Sequence, residues 1–507
     1  MVGIGECKLT MIDVKNTDQL IQQHQEDARL LPLAVTSLNL IVKLFYDLSV
    51  QDLPPIFEDN IGAVASLLHK YLVYENRLLE TADDAEAGPL EHVKAGIFEV
   101  LQLWVEKYED AFGPHLGQFV TSSWNLLTTV GPQVKYDILV SKALQFLTAV
   151  TKSKEHAQAF NNEQTLTQVI ERVVIPSLTL RDTDMELFED EPIEFIRRDL
   201  EGSDSDTRRR ASTDFLRQLV SIFETLVADV TNRYINHYLA EYASNQSANW
   251  KSKDTAVYLY SAIAAKGAVT ASQGVTATTS FTNVVDFFQK NIASDLVADS
   301  GTPTILKVDA IKYLYTFRSQ ITPPQWREAF PLLVKHLASS DYVVYTYASI
   351  ALERTMALST STKQPAIGRA EVEGLAGQLM QHQFGLIESA ADTAKIQENE
   401  FLMRCIMRVL IVIKDGVVPM VDDVVPHLAK IIEASSSNPS NPRFNYYLFE
   451  AVGVVIRYSF PLQARKGALL TAPVSPLPLS PRSLRVISTR HLRPCSNKMC
   501  KVRLTVY

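Results

Sequence analysis

Apolar residues recur at three- and four-residue steps in segment after segment of this chain, and that period restricts what it can fold into. In QVKYDILVSKALQFLTAV, Tyr136, Leu139, Val140, Ala143, Leu144, Leu147 and Val150 fall on one face of a helix. The spacing returns over 29–50, 56–74, 89–110, 113–130, 164–180, 207–228, 229–245, 252–266, 280–297, 303–319, 323–338, 341–357, 369–390, 396–414, 417–434 and 442–459. No run of alternating strand residues flanked by hairpin signals interrupts the series. The expected class is all-α.

The segments pair with a period of roughly forty to fifty residues, as in HEAT and armadillo repeats. The clearest unit is ITPPQWREAFPLLVKHLASSDYVVYTYASIALERTM. Its first helix carries Phe330, Leu333, Val334 and Leu337; Asp341 is placed to cap the second, which presents Val344, Tyr347, Ala348, Ala351 and Leu352. One such pair cannot bury its apolar face alone, so neighbours must stack. A single large globular helical domain would also give amphipathic helices. The regular pairing favours an α-solenoid, a right-handed superhelix of stacked antiparallel helix pairs.

With 507 residues, 46% hydrophobic and 21% charged, the chain has an ordinary globular composition, and its 19 glycines are few for a turn-rich β fold. Four scattered cysteines do not make a disulfide framework and fit a reducing compartment. The net charge of −8 conceals a split. Residues 461–507 hold nine Lys and Arg and no acid, are rich in Pro and Ser, and lose the helical period; a loosely attached tail is expected there. The acidic remainder favours basic partners and disfavours nucleic acid. Insertion into a membrane is not expected, since Lys43 and Asp47 interrupt the apolar stretch Leu38–Leu48, and the N-terminus lacks a signal-peptide pattern. Residues 1–26 are set apart from the array, which is expected to span 27–460.

The search for chemistry is negative. There is no phosphate loop, no dinucleotide fingerprint, no nucleophile elbow and no HExxH pair. His336 reads as a packing or surface residue. Cys495 and Cys500, with His491 nearby, read as free thiols rather than zinc ligands. The expectation is a protein that is not an enzyme and uses no cofactor or metal.

One segment does not fit the packing pattern. From Arg181 to Asp206 the chain carries dense charge of both signs, a long insertion by the standard of interhelical turns. It reads as a hinge or a docking surface for a partner. Its candidate residues are Asp182, Asp184, Glu186, Glu189, Asp190, Glu191, Glu194, Arg197, Arg198, Asp199, Glu201, Asp204 and Asp206, followed by Arg208, Arg209 and Arg210. Ser203, Ser205 or Asp206 is placed to cap a helix starting near Thr207. The three arginines would then oppose the dipole of its first turn, which suggests that they serve carboxylates or a partner. Reversing their charge is expected to alter partner binding more than folding.

Five segments carry a family resemblance: VKLFYDLSVQDLPPIFEDN, KYDILVSKALQFL, FIRRDLEGSDSDTRRRA, NWKSKDTAVYL and NPSNPRFNYYLFEA. With them the chain resembles the central part of the CAS exportins of the importin-β superfamily. The resemblance implies a non-enzymatic transport receptor that binds importin-α together with GTP-bound Ran, shuttles between nucleus and cytoplasm, and has nucleoporins as further candidate partners. It also implies that 181–206 is a hinge and a Ran-proximal contact. It covers only the middle of such receptors, so a truncated form without the main Ran-binding repeats is expected. The alternative is a HEAT-repeat scaffold that organises a complex without Ran dependence. Exposed apolar ends of the array would favour self-association.

Overall fold

The computed structural model describes residues 4–200, 207–270, 272–298, 301–359, 363–390 and 395–459. The basic tail, the Cys495 and Cys500 pair, and Glu201, Asp204 and Asp206 lie outside them. The chain divides into two compact units, Met1–Thr270 with Val275–Asp309, and Ala271–Gly274 with Ala310–Tyr507.

In the first unit the helices run α1 (Ile4–Gln23), α2 (Leu30–Ser49), α3 (Pro55–Glu58), α4 (Ile61–Leu72), α5 (Pro89–Lys107), α6 (Glu109–Thr129), α7 (Asp137–Val150) and α8 (Lys154–Ala157). After them, α9 (Glu163–Val169) continues through a π turn into α10 (Ile175–Leu178). Then come α11 (Asp182–Asp190), α12 (Pro192–Leu200), α13 (Arg208–Ile222), α14 (Glu224–Ser244) and α15 (Trp250–Ala264). A hairpin of β1 (Ala265–Thr270) and β2 (Gly274–Thr278) leads to α16 (Val284–Asn291) and α17 (Ala293–Val297).

Two rows of helices result. α2, α5, α7, α13 and α15 stack in succession, while α4 and α6 pack beside α5, and α14 beside α13 and α15. Helices in the middle of a row have neighbours on both sides, which is why α5 buries Val93, Ile97, Phe98, Val100, Leu101 and Trp104 rather than one narrow stripe. Their apolar area removed from water, at about 25 cal/mol per Å², is the main source of cohesion between repeats.

α18 (Thr304–Thr316) runs across the division between the units. The second unit continues with α19 (Pro323–His336), α20 (Tyr342–Ala357), α21 (Arg369–Glu388), α22 (Glu400–Ile413), α23 (Val421–Ser437) and α24 (Pro442–Ser459). α20, α22 and α24 form one row; α19, α21 and α23 form the other. The α19–α20 pair follows its sequence closely. Gln325 Oε1 accepts the Thr322 backbone N–H at 2.9 Å, and Asp341 accepts the N–H groups of Val343 and Val344 at 2.9 and 3.0 Å. Phe330, Leu333, Val334 and Leu337 are buried, as are Val344, Tyr347, Ala348, Ala351 and Leu352.

The structure departs from the sequence expectations in several places. Most of the segment set apart at 1–26 is helix α1, which packs on α2, buries Val14 and Ile21, and places Asp18 within 2.6 Å of the Tyr71 hydroxyl. A strand hairpin occupies Ala265–Thr278, where none is expected; Thr279 fastens its end to α15 by donating to the Ile263 carbonyl at 2.9 Å. Gly274 has φ +71°, and a Cβ there would meet the Thr316 carbonyl. The helix break expected near residue 229 falls at Phe223. α2 is long and apolar enough by length and composition to cross a membrane, yet Leu31, Val35, Leu38, Val42 and Phe45 face its helical neighbours as core.

Candidate partner-binding surface

The charged segment expected as a hinge or a docking surface is helical over its described part. α11 starts where the Asp184 carboxylate accepts the Arg181 backbone N–H at 2.9 Å. α12 folds back on α11, with Phe188 and Ile196 buried and the Phe188 and Phe195 rings edge to face at 5.1 Å. The charges that dominate this sequence hid two short helices whose few apolar residues recur at helical spacing.

Arg181 fixes the base of this helical hairpin. Its guanidinium donates to both Asp137 oxygens, at 2.7 and 2.8 Å, to Asp184 at 2.8 and 3.0 Å, and to the Pro132 carbonyl at 2.9 Å. Burial opposes its charge, but the bonds and charges of Asp137 and Asp184 outweigh burial and raise its pKa above the ordinary arginine value. Burial likewise opposes ionisation of Asp184; Arg181 overcomes it and holds the carboxyl below its usual range.

The first turn of α13 is tied to the same place. Thr207 caps it by accepting the Arg210 N–H at 3.3 Å, the role expected of Ser203, Ser205 or Asp206. Arg208 is buried, donates to Asp137 at 2.6 Å, and reaches the carbonyls of Gly131 and Gln133 at 3.2 and 3.1 Å. Burial, joined by the charge of Arg181, draws its pKa below the ordinary value despite Asp137. Arg209 pairs with the fully buried Asp254 and stacks 3.5 Å from the centre of the Tyr258 ring. Its burial is outweighed by Asp254, so its pKa is raised. Arg210 alone is exposed, 3.6 Å from Asp214 on the next turn.

The candidates therefore divide. Asp184, Arg208 and Arg209 face inward, each engaged by a partner within the fold; for Arg208 and Arg209 the partner is a carboxylate, one of the two roles expected of them. Asp182 is exposed and bonded to Lys251 at 2.6 Å, which lowers its pKa. Glu194 and Arg198 pair across one turn of α12 at 2.9 Å. Glu186, Glu189, Asp190, Glu191 and Arg197 lie on the exposed side of the hairpin, and Asp199 is half-buried. The first four form an acidic ridge at the surface, for which no ion-pair partner is present among the described residues. The residues missed are the partners, Asp137, Arg181, Asp254, Tyr258 and Lys251. For all but Arg181 the signal was present, since KYDILVSKALQFL and NWKSKDTAVYL are among the segments that carry the resemblance.

Residues 6–352 match the Cse1 family model and residues 353–470 the model of the C-terminus of CAS/CSE proteins. The match thus begins inside the segment set apart at 1–26 and extends past residue 460. The chain is 43% identical over 450 residues to the importin alpha re-exporter of Saccharomyces cerevisiae, covering 88% of this chain and 47% of that protein. Against exportin-2 of Homo sapiens it is 40% identical over 444 residues, covering 87% and 45%. Among solved structures, the exportin Cse1 in its cargo-free, cytoplasmic state aligns at a TM-score of 0.81 with 42% identity over 88% of this chain and 47% of that one. Lph2, a bidirectional nuclear transport receptor of S. cerevisiae, shares the fold alone, at a TM-score of 0.52 and 12% identity over 87% and 51% of the two chains. The chain spans about half the length of the curated relatives it matches. Two adjoining family matches, relatives above the level at which folds diverge, and the same helical stacking place this chain in the Cse1/CAS family of exportins.

Proposed function

We propose that this chain is a region of a nuclear export receptor that binds importin-α together with GTP-bound Ran and shuttles between nucleus and cytoplasm. The observation that carries the reading is the 43% identity to an importin alpha re-exporter across 450 residues. In this reading the solenoid couples two binding sites, so each partner raises affinity for the other. The exposed ridge of Glu186, Glu189, Asp190 and Glu191 is the docking part of the charged segment, directed at a basic surface of Ran or cargo. Arg181 and Asp137 tie down the base of the hairpin that carries the ridge. Nucleoporins are further partners of the same proposal.

The test is binding of the purified chain to importin-α with and without Ran held in its GTP state. A rise in importin-α affinity of about tenfold, roughly 1.4 kcal/mol, is expected with Ran. Importin-α binding that ignores Ran would favour a scaffold without nucleotide dependence. Failure of both partners to bind would overturn the proposal.

A further inference from the structure

A second concentration of charge lies in the unit that contains α19 to α24. Glu353 on α20 is almost wholly buried, with 2% of its surface exposed. Three arginines converge on its carboxylate. Arg408 donates to Oε1 through Nε at 3.1 Å and Nη2 at 3.0 Å; the Nε atoms of Arg404 and Arg354 lie 3.2 and 3.5 Å from Oε2. One carboxylate balances one guanidinium, so Arg404 and Arg408 together keep an excess of positive charge.

That excess reaches solvent. The side chains of Arg354, Arg404 and Arg408 are 22%, 24% and 26% exposed. Among the described residues, no acceptor is bonded to either Nη of Arg404 or to Nη1 of Arg408. Arg404 and Arg408 are one turn apart on α22, and the Tyr447 ring of α24 lies 5.6 Å from the Arg404 guanidinium. The surrounding charge has the same sense. α20, α22 and α24 carry five arginines against three glutamates, of which Glu353 is buried and Glu400 lies 3.6 Å from Arg443. α19, α21 and α23 carry seven carboxylates against four Lys and Arg.

We propose that Arg404 and Arg408, preorganised around the buried Glu353, form a docking site for an acidic polypeptide segment. A guanidinium held by Nε presents its remaining N–H groups as a fork, which suits single carboxylates. The patch is too short for a phosphate backbone, which needs an extended cationic track, and the acidic neighbouring row repels a dense polyanion. Holding the arginines on Glu353 also lowers the side-chain entropy lost when a partner binds. The site is independent of the acidic ridge and has the opposite preference.

The test uses a fluorescein-labelled short peptide with two glutamates spaced among neutral residues and the full chain, with anisotropy read at low and high salt. Saturable binding that weakens with salt is expected. R404Q should weaken it several-fold while leaving Arg408 on Glu353, and E353Q/R404Q/R408Q, which removes the buried charge with its partners, should weaken it by about tenfold or more. E353Q alone releases the arginines from their internal acceptor and should hold or tighten binding. If the arginines only neutralise Glu353, the peptide shows no saturable binding to the wild-type chain or to E353Q, and the proposal fails. Binding indifferent to R404Q, or a single-stranded oligonucleotide that binds as tightly as the peptide, would equally overturn it.

Discussion

Arg208, Arg209 and Arg210 are consecutive and chemically identical, yet they have three different roles. Successive helical residues are about 100° apart, so neighbours in sequence face different elements. Arg208 meets Asp137 of α7, Arg209 meets Asp254 of α15, and Arg210, among the described residues, meets Asp214 of its own helix. This geometry argues against the expectation that reversing all three alters partner binding more than folding. Arg208→Glu or Arg209→Glu leaves Asp137 or Asp254 facing a like charge in a buried setting, a loss of about 3–5 kcal/mol. Arg210→Glu should stay within about 0.5 kcal/mol of the parent, as for other exposed positions. Urea unfolding of the three single variants checks this; equal midpoints for all three would show that the internal pairs contribute nothing to stability.

At the scale of elements, the α11–α12 hairpin is a small body with few apolar anchors. Only Phe188 and Ile196 are buried within its two helices, and the base is held by the Arg181 network. Short helices of this kind are not stable alone and depend on tertiary contacts. Phe188→Ala removes the ring that packs on Phe195 and should cost about 3–5 kcal/mol locally. Because the rows α5–α7–α13 do not rest on Phe188, the loss should appear as faster amide hydrogen exchange over 182–200 and leave exchange in α5 and α7 unchanged. Uniform acceleration through α5 would mean that the hairpin is part of the main cooperative unit. Most elements were legible from periodicity, with α2 and the α19–α20 pair within a residue or two of expectation. α11, α12 and the β hairpin were not, because dense charge in one case and short Ala/Thr/Gly-rich strands in the other give weak local patterns.

At the scale of the whole molecule, helices in each unit expose apolar surface that a monomeric protein seldom leaves in water. On α2, Leu33, Leu40 and Leu44 are 60%, 64% and 41% exposed, at helical spacing. On α24, Tyr446, Phe449 and Ile456 are 60%, 62% and 43% exposed, again at helical spacing. Contiguous stripes of this kind mark interaction surfaces. The purified chain should therefore self-associate as its concentration rises, and Leu40→Lys with Phe449→Glu should reduce the association. Sedimentation velocity across a concentration series reads both; a monomer at every concentration would contradict it.

The sequence alone determined the helical class, the pairing of helices into repeats and the family, because each rests on local periodicity or on short continuous motifs. It also located the charged segment that forms the acidic ridge. Which charges within that segment face inward was decided only by tertiary structure, since the partners Asp137 and Asp254 lie 71 and 45 residues away from Arg208 and Arg209. The same holds for Glu353 and its arginines, where Arg408 is 55 residues distant. Periodicity reports which residues share a face of one helix. What that face meets depends on how the rows stack, and a buried ion pair exists only once both rows are in place.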